Sequence, residues 1–100
     1  MGNRSTDPWS NDLQPFTDSS VGWPSFMRVF PILQWDYCAV WRFLRLFDLP
    51  YCSLYDKGFT SLGEKNNSQP NPTLKVEGEA SEYRPAYELT DNSLERLSRI

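Results

Sequence analysis

Histidine is absent from this chain. That removes Ser-His-Asp and Cys-His nucleophilic catalysis, in which an imidazole takes and returns the proton. It also removes most zinc sites, which draw on imidazole ligands. Chemistry here has to run on carboxylates, guanidinium and ammonium groups, hydroxyls or a borrowed metal ion. Cysteine is scarce, with only Cys38 and Cys52 and no CxxC spacing. Free, buried thiols in a reduced compartment are the expectation. No apolar run approaches the roughly 18 residues that read as a membrane span. The polar start Met1-Gly-Asn-Arg-Ser-Thr-Asp7 does not fit a signal peptide, so a cytoplasmic location is expected. Positive charge is not in excess either. Ten Lys and Arg stand against thirteen Asp and Glu, for a net −3. That balance argues against nucleic acid or a membrane as partner, yet leaves room for a local basic site for phosphates.

What is present is aromatic. Four Trp, five Tyr and six Phe in 100 residues are many. In one small domain, or a piece of a larger one, a few such rings can form much of the core, each burying ~150–250 Å². Residues 1–25 are rich in Asp, Ser, Pro and Gly and read as loop. Met27-Arg-Val-Phe-Pro-Ile-Leu33 predicts a strand that Pro31 marks as an edge or an end. Asp36 to Phe47 predicts a helix, with Asp36 as N-cap. Tyr37, Val40, Trp41, Leu44 and Phe47 make its apolar stripe, and Arg42 and Arg45 are expected in solvent. Asp48-Leu-Pro50 stops it. Glu64 to Glu82 reads as a mobile surface segment. Tyr83 to Leu89 reads as strand or extended chain. A last short helix, Leu94 to Ile100, is expected with Asn92 or Ser93 as cap. One strand and one helix leave the 37–47 stripe without a cover. A parallel sheet lying upstream of these residues is therefore expected.

Several short strings have an ordinary reading when taken alone. Gly2-Asn-Arg-Ser-Thr-Asp-Pro8 is a flexible polar start. Phe16-Thr-Asp-Ser-Ser20 is a turn with Asp18 as an Asx cap. Tyr55-Asp-Lys-Gly-Phe-Thr-Ser-Leu-Gly63 is a solvent loop whose glycines take positive φ. Arg96 and Arg99 are a solvated helix end, where the macrodipole favours cations. Trp35, Tyr37, Trp41, Phe43 and Leu44 are core.

Together these strings resemble the FAD synthases (FMN adenylyltransferases), a group related to the phosphoadenylyl-sulfate reductases. The resemblance is carried by Gly-x-Arg-x-Thr-Asp-Pro at 2–8, Trp-Pro-x-Phe-Met-Arg at 23–28 and Trp-x-Tyr-x-x-Val-Trp-x-Phe-Leu at 35–44. It continues through Pro-Tyr-Cys-x-Leu-Tyr-x-x-Gly-x-Thr-Ser-Leu-Gly at 50–63, Asn-Pro-x-Leu at 71–74, Arg-Pro-Ala-Tyr at 84–87 and Glu-Arg-x-x-Arg at 95–99. Glu64–Lys65 and Val76–Glu82 are its least constrained parts. Gln34 and Ala39 depart from the acidic residues usual there. The group's ATP-phosphate loop, Ser-Gly-Gly-Lys-Asp-Ser, does not occur in this sequence.

The resemblance implies an α/β fold, the carboxy-terminal part of a Rossmann-like, mostly parallel sheet flanked by helices. All 100 residues would form the carboxy-terminal part of one such domain, inactive by itself. The implied reaction joins ATP and FMN into FAD and pyrophosphate, with Mg²⁺ accompanying ATP and FMN as substrate. Arg4 would meet phosphate and Asp7 would stand at the active site, toward either Mg²⁺ or flavin. Asp18 would accept from the flavin imide N–H, and Trp23 and Arg28 would also face flavin, with Trp23 or Phe16 packing on the ring. Lys57, Thr60 and Ser61 would touch nucleotide phosphates. Arg96 and Arg99 would act at the phosphate end. No protein metal ligands are assigned. One rival is a sulfonucleotide reductase relative, for which Cys38 and Cys52 are in the wrong setting. The other is a non-catalytic module that binds flavin or a partner subunit.

Overall fold

The structure, a computed structural model, describes residues 1–78 and 82–100. The chain divides into two compact units, Met1–Asp36 and Tyr37–Ile100.

The first unit is built on a hairpin. Strand β1, Phe16–Asp18, pairs antiparallel with β2, Met27–Val29, so that Phe16 faces Val29, Thr17 faces Arg28 and Asp18 faces Met27. Hydrogen bonds from Ser19 N–H to the Phe26 carbonyl (2.9 Å) and from Phe30 N–H to the Pro15 carbonyl (2.9 Å) extend the pairing at both ends. The turn expected at Phe16–Ser20 is therefore a strand. The Asx cap expected of Asp18 gives way because Thr17, not Asp18, bonds locally, its hydroxyl donating to the Gln14 carbonyl at 2.8 Å. The strand expected over 27–33 ends at Val29. Beyond it the chain turns, and Phe30 and Leu33 become the buried apolar residues of this unit. Ser5 N–H donates to the Leu33 carbonyl at 2.8 Å, which ties the amino-terminal segment to that turn.

The second unit begins with helix α1, Tyr37–Leu46. Asp48 closes it in the left-handed conformation, φ 50°. Leu49 N–H bonds to the Leu44 carbonyl (2.9 Å) and Asp48 N–H to the Arg45 carbonyl (3.2 Å), satisfying carbonyls that a helix end leaves open. At the other end the Asn92 side chain accepts from Cys38 N–H at 2.9 Å. Tyr37 and Trp41 lie in a cluster with Leu74, Ala86 and Leu89. The cover expected of a sheet is supplied by tyrosines. Trp41, 6% exposed, has the rings of Tyr51 and Tyr55 edge-on at 4.9 and 5.3 Å, and those of Tyr87 and Tyr37 at 6.2 and 6.4 Å. The stripe is shorter than its spacing predicts, since Phe47 is exposed. Arg45 is not simply in solvent either. Its guanidinium lies 3.8 Å over the Tyr87 ring, where cation and π face attract.

Three further expectations give way here. The segment from Glu64 is anchored, not loose. It forms 3₁₀ turns at Lys65–Asn67 and Pro72–Leu74, with Leu74 in the core and Asn71 fully buried. Its residues 79–81 lie outside the described residues. The strand expected over 83–89 reduces to a bridge of Tyr83 to Lys75, then a 3₁₀ turn at Ala86–Glu88, because Pro85 removes the next donor. The last helix is 3₁₀, Asn92–Ser98, and its cap is Asp91, whose carboxylate accepts from Ser93 N–H (3.0 Å) and Oγ (2.6 Å). Those bonds hold the Asp91 carboxyl below its ordinary range. Cys38 is half-buried and Cys52 exposed, so a buried setting fails for Cys52.

Among the described residues the fold is α/β with one small antiparallel sheet, and no parallel pairing is found. No described helix is long and apolar enough to cross a membrane.

Candidate functional site

The residues singled out by sequence fall in two groups, one in each unit. In the first unit Arg4 and Asp7 close a tight turn. Arg4 Nη2 pairs with Asp7 Oδ1 at 2.9 Å, and Arg4 N–H donates to Asp7 Oδ2 at 2.8 Å. Asp7 N–H returns a bond to the Arg4 carbonyl at 2.9 Å. Both carboxylate oxygens are thus engaged by Arg4. The fork geometry of arginine suits this, because a planar guanidinium presents its N–H groups to a carboxylate in a fixed arrangement.

On the hairpin, Arg28 Nε and Nη2 both donate to the Asp18 backbone carbonyl, at 3.2 and 2.9 Å. Its guanidinium also lies 5.7 Å from the centroid of the Phe30 ring. Alternation along a strand puts Asp18 and Phe16 on one face, and the register adds Met27 and Val29 to that face. All four are exposed. A carboxylate beside three apolar side chains can accept a hydrogen bond from a flat ring lying on them. Trp23, on the hairpin loop, is 70% exposed.

In the second unit Ser61, Arg96 and Arg99 meet. Ser61 Oγ accepts from Arg99 Nε at 3.0 Å and from Arg96 Nη1 at 3.4 Å. Arg99 Nη2 also donates to the Leu62 carbonyl. Spacing of three residues aligns side chains along a 3₁₀ helix, which has three residues per turn. Beside Ser61, Thr60 is turned inward. It is 2% exposed, and its hydroxyl donates to the Glu95 carbonyl at 2.6 Å and accepts from Asn71 Nδ2 at 2.9 Å. Lys57 ends the 3₁₀ turn Ser53–Lys57 and is exposed.

Two glycines are set by close approach. Gly58 has φ +89°, and a Cβ there would meet Tyr83 Cβ at 2.5 Å. A Cβ on Gly63 would fall against the Arg99 guanidinium and Asn67 Oδ1.

Sequence reasoning passed over Asn71 and Ser98 as site residues. Asn71 Nδ2 donates to Thr60 Oγ1 and to the Leu94 carbonyl (2.8 Å), while its Oδ1 accepts from Thr73 N–H and Oγ1 at 3.0 and 2.7 Å. An asparagine between Pro70 and Pro72 was the available signal, since proline on either side limits the local backbone. Ser98, which accepts from Thr60 N–H at 2.8 Å, had none.

The chain is similar to known proteins along its whole length. A family model, the phosphoadenosine phosphosulfate reductase domain, matches residues 1–70. A probable FAD synthase of Schizosaccharomyces pombe is 46% identical over 99 residues, covering 99% of this chain and 37% of that protein. A probable FAD synthase of Caenorhabditis elegans is 42% identical over 104 residues, covering 99% of this chain and 20% of that protein. The crystal structure of Candida glabrata FMN adenylyltransferase superposes with a TM-score of 0.92 at 29% identity, over 100% of this chain and 48% of that one. That enzyme has also been solved with ATP, and with FAD and inorganic pyrophosphate. The chain thus spans about half the length of that structure and less of the two relatives. It belongs to the phosphoadenosine phosphosulfate reductase domain family, on the side of that family occupied by the FAD synthases.

Proposed function

We propose that the protein carrying this chain transfers AMP from ATP to FMN, giving FAD and pyrophosphate. The observation that carries the reading is the meeting of Arg96 and Arg99 on Ser61 Oγ, within a chain aligned along 99% of its length with a probable FAD synthase. In this reading the chain is the carboxy-terminal part of one domain, and the rest of a mostly parallel sheet lies outside it.

An FMN phosphate oxygen attacks the α-phosphorus of ATP in line. The new P–O bond forms as the bond to the β-phosphate bridging oxygen breaks, and pyrophosphate leaves with that electron pair. Such transfers need little covalent help from the protein, and positioning with electrostatic stabilisation supplies most of the rate. Arg96 and Arg99 hold the phosphate end, and their charge offsets what develops on the leaving group. Ser61 and Lys57 join them at the phosphates. Thr60 serves the same loop from inside.

In the first unit Arg4 meets phosphate, and Asp7, paired with its guanidinium, fixes its aim. Asp18 accepts from the imide N–H of the flavin ring, with Phe16 or Trp23 against the ring and Arg28 bracing the strand from the Asp18 carbonyl. Mg²⁺ enters as part of Mg·ATP. The described residues hold no group of three His, Cys, Asp or Glu able to grip a metal ion, and both Asp7 oxygens are taken by Arg4. A cytoplasmic setting belongs to the same reading.

The test is an FMN adenylylation assay on the full-length protein with Mg·ATP, following FAD and pyrophosphate together. Equal release of both is expected. Reduction of a sulfonucleotide, or no FAD under saturating substrates, would overturn the reading.

A further inference from the structure

Arg96 lies on the 3₁₀ helix Asn92–Ser98 and Arg99 is its C-cap, and such a helix has poor hydrogen-bond geometry and little rigidity of its own. Something else must hold it. The bonds that do so converge on one threonine and one asparagine.

Thr60 Oγ1 donates to the carbonyl of Glu95, the residue before Arg96, at 2.6 Å. Thr60 N–H donates to the hydroxyl of Ser98, the residue before Arg99, at 2.8 Å. Asn71 Nδ2 donates to the Leu94 carbonyl at 2.8 Å and to Thr60 Oγ1 at 2.9 Å. Asn71 is itself locked by Thr73 and by its own N–H, which donates to the Gly58 carbonyl at 2.8 Å. Thr60, Asn71 and Ser98 are all buried. Buried polar groups with fixed partners impose one geometry, because breaking any bond leaves a group without water to replace it. The two Thr60 bonds reach residues directly beside Arg96 and Arg99, and the Asn71 bonds hold Thr60 and the turn before Arg96. None of these three side chains faces outward.

We infer that Thr60 and Asn71 are positioning residues that set the Arg96–Arg99 pair. They act through backbone anchors and not by touching phosphate. The inference rests on the proposed AMP transfer for its kinetic consequence, but its structural consequence is independent of that reaction.

The experiment uses the full-length protein with Thr60→Val, Thr60→Ser and Asn71→Asp. Valine keeps the shape of threonine and removes the hydroxyl. Serine keeps the hydroxyl. Aspartate keeps the acceptor for Thr73 and removes the donor to Thr60 and Leu94. Two readouts are taken on proteins whose melts confirm folding. The first is side-chain NMR of the arginine Nε–H groups, with Arg96→Ala and Arg99→Ala for assignment. Wild type and Thr60→Ser should show a slowly exchanging Arg99 signal, since Arg99 donates through Nε. Thr60→Val and Asn71→Asp should move it to a solvent-like position and fast exchange. The second is kinetic. Thr60→Val should lower kcat about tenfold or more with KM for FMN within about twofold, and Thr60→Ser should restore most of it. In an Arg96→Ala background Thr60→Val should cost little further, because residues acting through one another are not additive.

An unchanged Arg99 signal in folded Thr60→Val overturns the inference. So does an equal kcat loss with and without Arg96. If the wild type makes no FAD, the proposed reaction fails while the NMR arm still decides the positioning role. If Thr60→Val does not fold, Asn71→Asp and Thr60→Ser decide it on the same signal.

Discussion

Arg99 Nε donates to Ser61 Oγ at 3.0 Å, across 38 residues of sequence. A hydroxyl that accepts from two arginines gathers positive charge on a loop bounded by Gly58 and Gly63. Two cations brought together in a chain of net −3 repel each other unless an anion joins them. Arg96→Ala in the full-length protein should therefore lower kcat by ~10²-fold or more, the scale for loss of one electrostatic stabiliser. Arg96→Lys should recover only part, since lysine keeps the charge and loses the fork. Arg99→Ala should act mainly on substrate affinity. Steady-state kinetics in FMN and ATP check this, and changes under about twofold in both alanine variants would remove the clamp.

Asp18 shares its strand face with Phe16, Met27 and Val29. In the proposed reading, removing the carboxylate leaves the flavin imide N–H without its acceptor. Asp18→Ala should raise KM for FMN much more than KM for ATP, at a cost of roughly 1.5–3 kcal/mol for one charged hydrogen bond. Equal shifts for both substrates would detach Asp18 from the flavin.

Trp41 is the ring that the tyrosines surround. Trp41→Ala should destabilise the protein by ~3–5 kcal/mol, the usual range for truncating a buried aromatic ring. Chemical denaturation with two probes measures it, and a loss under about 1 kcal/mol contradicts the packing described.

Gly63 separates stability from aim. An added Cβ meets the far end of the flexible Arg99 side chain and the Asn67 side chain, not backbone. Gly63→Ala should leave the melting temperature close to wild type and impair activity in the manner of Arg99→Ala. Gly58→Ala should do the reverse and cost stability, because its positive φ and the contact with Tyr83 Cβ offer no escape. A Gly63→Ala protein with full activity argues that Arg99 has no role at the site.

Tyr37 supplies the pH prediction. Its hydroxyl donates to the Ala86 carbonyl at 2.7 Å in the core, and burial pushes its phenol well above the ordinary value. The hydrogen bond to Asp56 raises the Tyr51 phenol as well. A raised pKa means that the folded state favours the protonated phenol. The stabilisation is complete below the ordinary tyrosine value of about 10 and is lost as pH rises above it. Melting temperatures should hold steady from about pH 8 to about pH 10 and then fall. Tyr37→Phe, which has no phenol to ionise, should flatten that fall.

Much of this protein is local and therefore legible in its sequence. The helix over Tyr37–Leu46 follows from apolar spacing, and its stop from the Asp48-Leu-Pro50 run. The pairing of Arg96 with Arg99 follows from a separation of three residues. The family resemblance is carried by short strings that need no coordinates. What covers Trp41 is not local. Tyr51, Tyr55 and Tyr87 reach it from turns up to 46 residues away, and nothing in their own neighbourhoods marks those rings as core. The same holds for the polar anchors. Composition around Asn71 is that of a surface loop, and it reads so by any rule of local propensity. Only when Leu74 is drawn into the core does Asn71 leave water, and a side-chain amide without water must find partners. It finds them in Thr60 and in the Leu94 carbonyl, 11 and 23 residues away. Periodicity and turn chemistry act over a few residues, so the sequence alone determined the helix and the site strings. Burial and hydrogen-bond satisfaction act across the whole fold, so only the tertiary structure decided which loop holds the arginines and which hydroxyl faces inward.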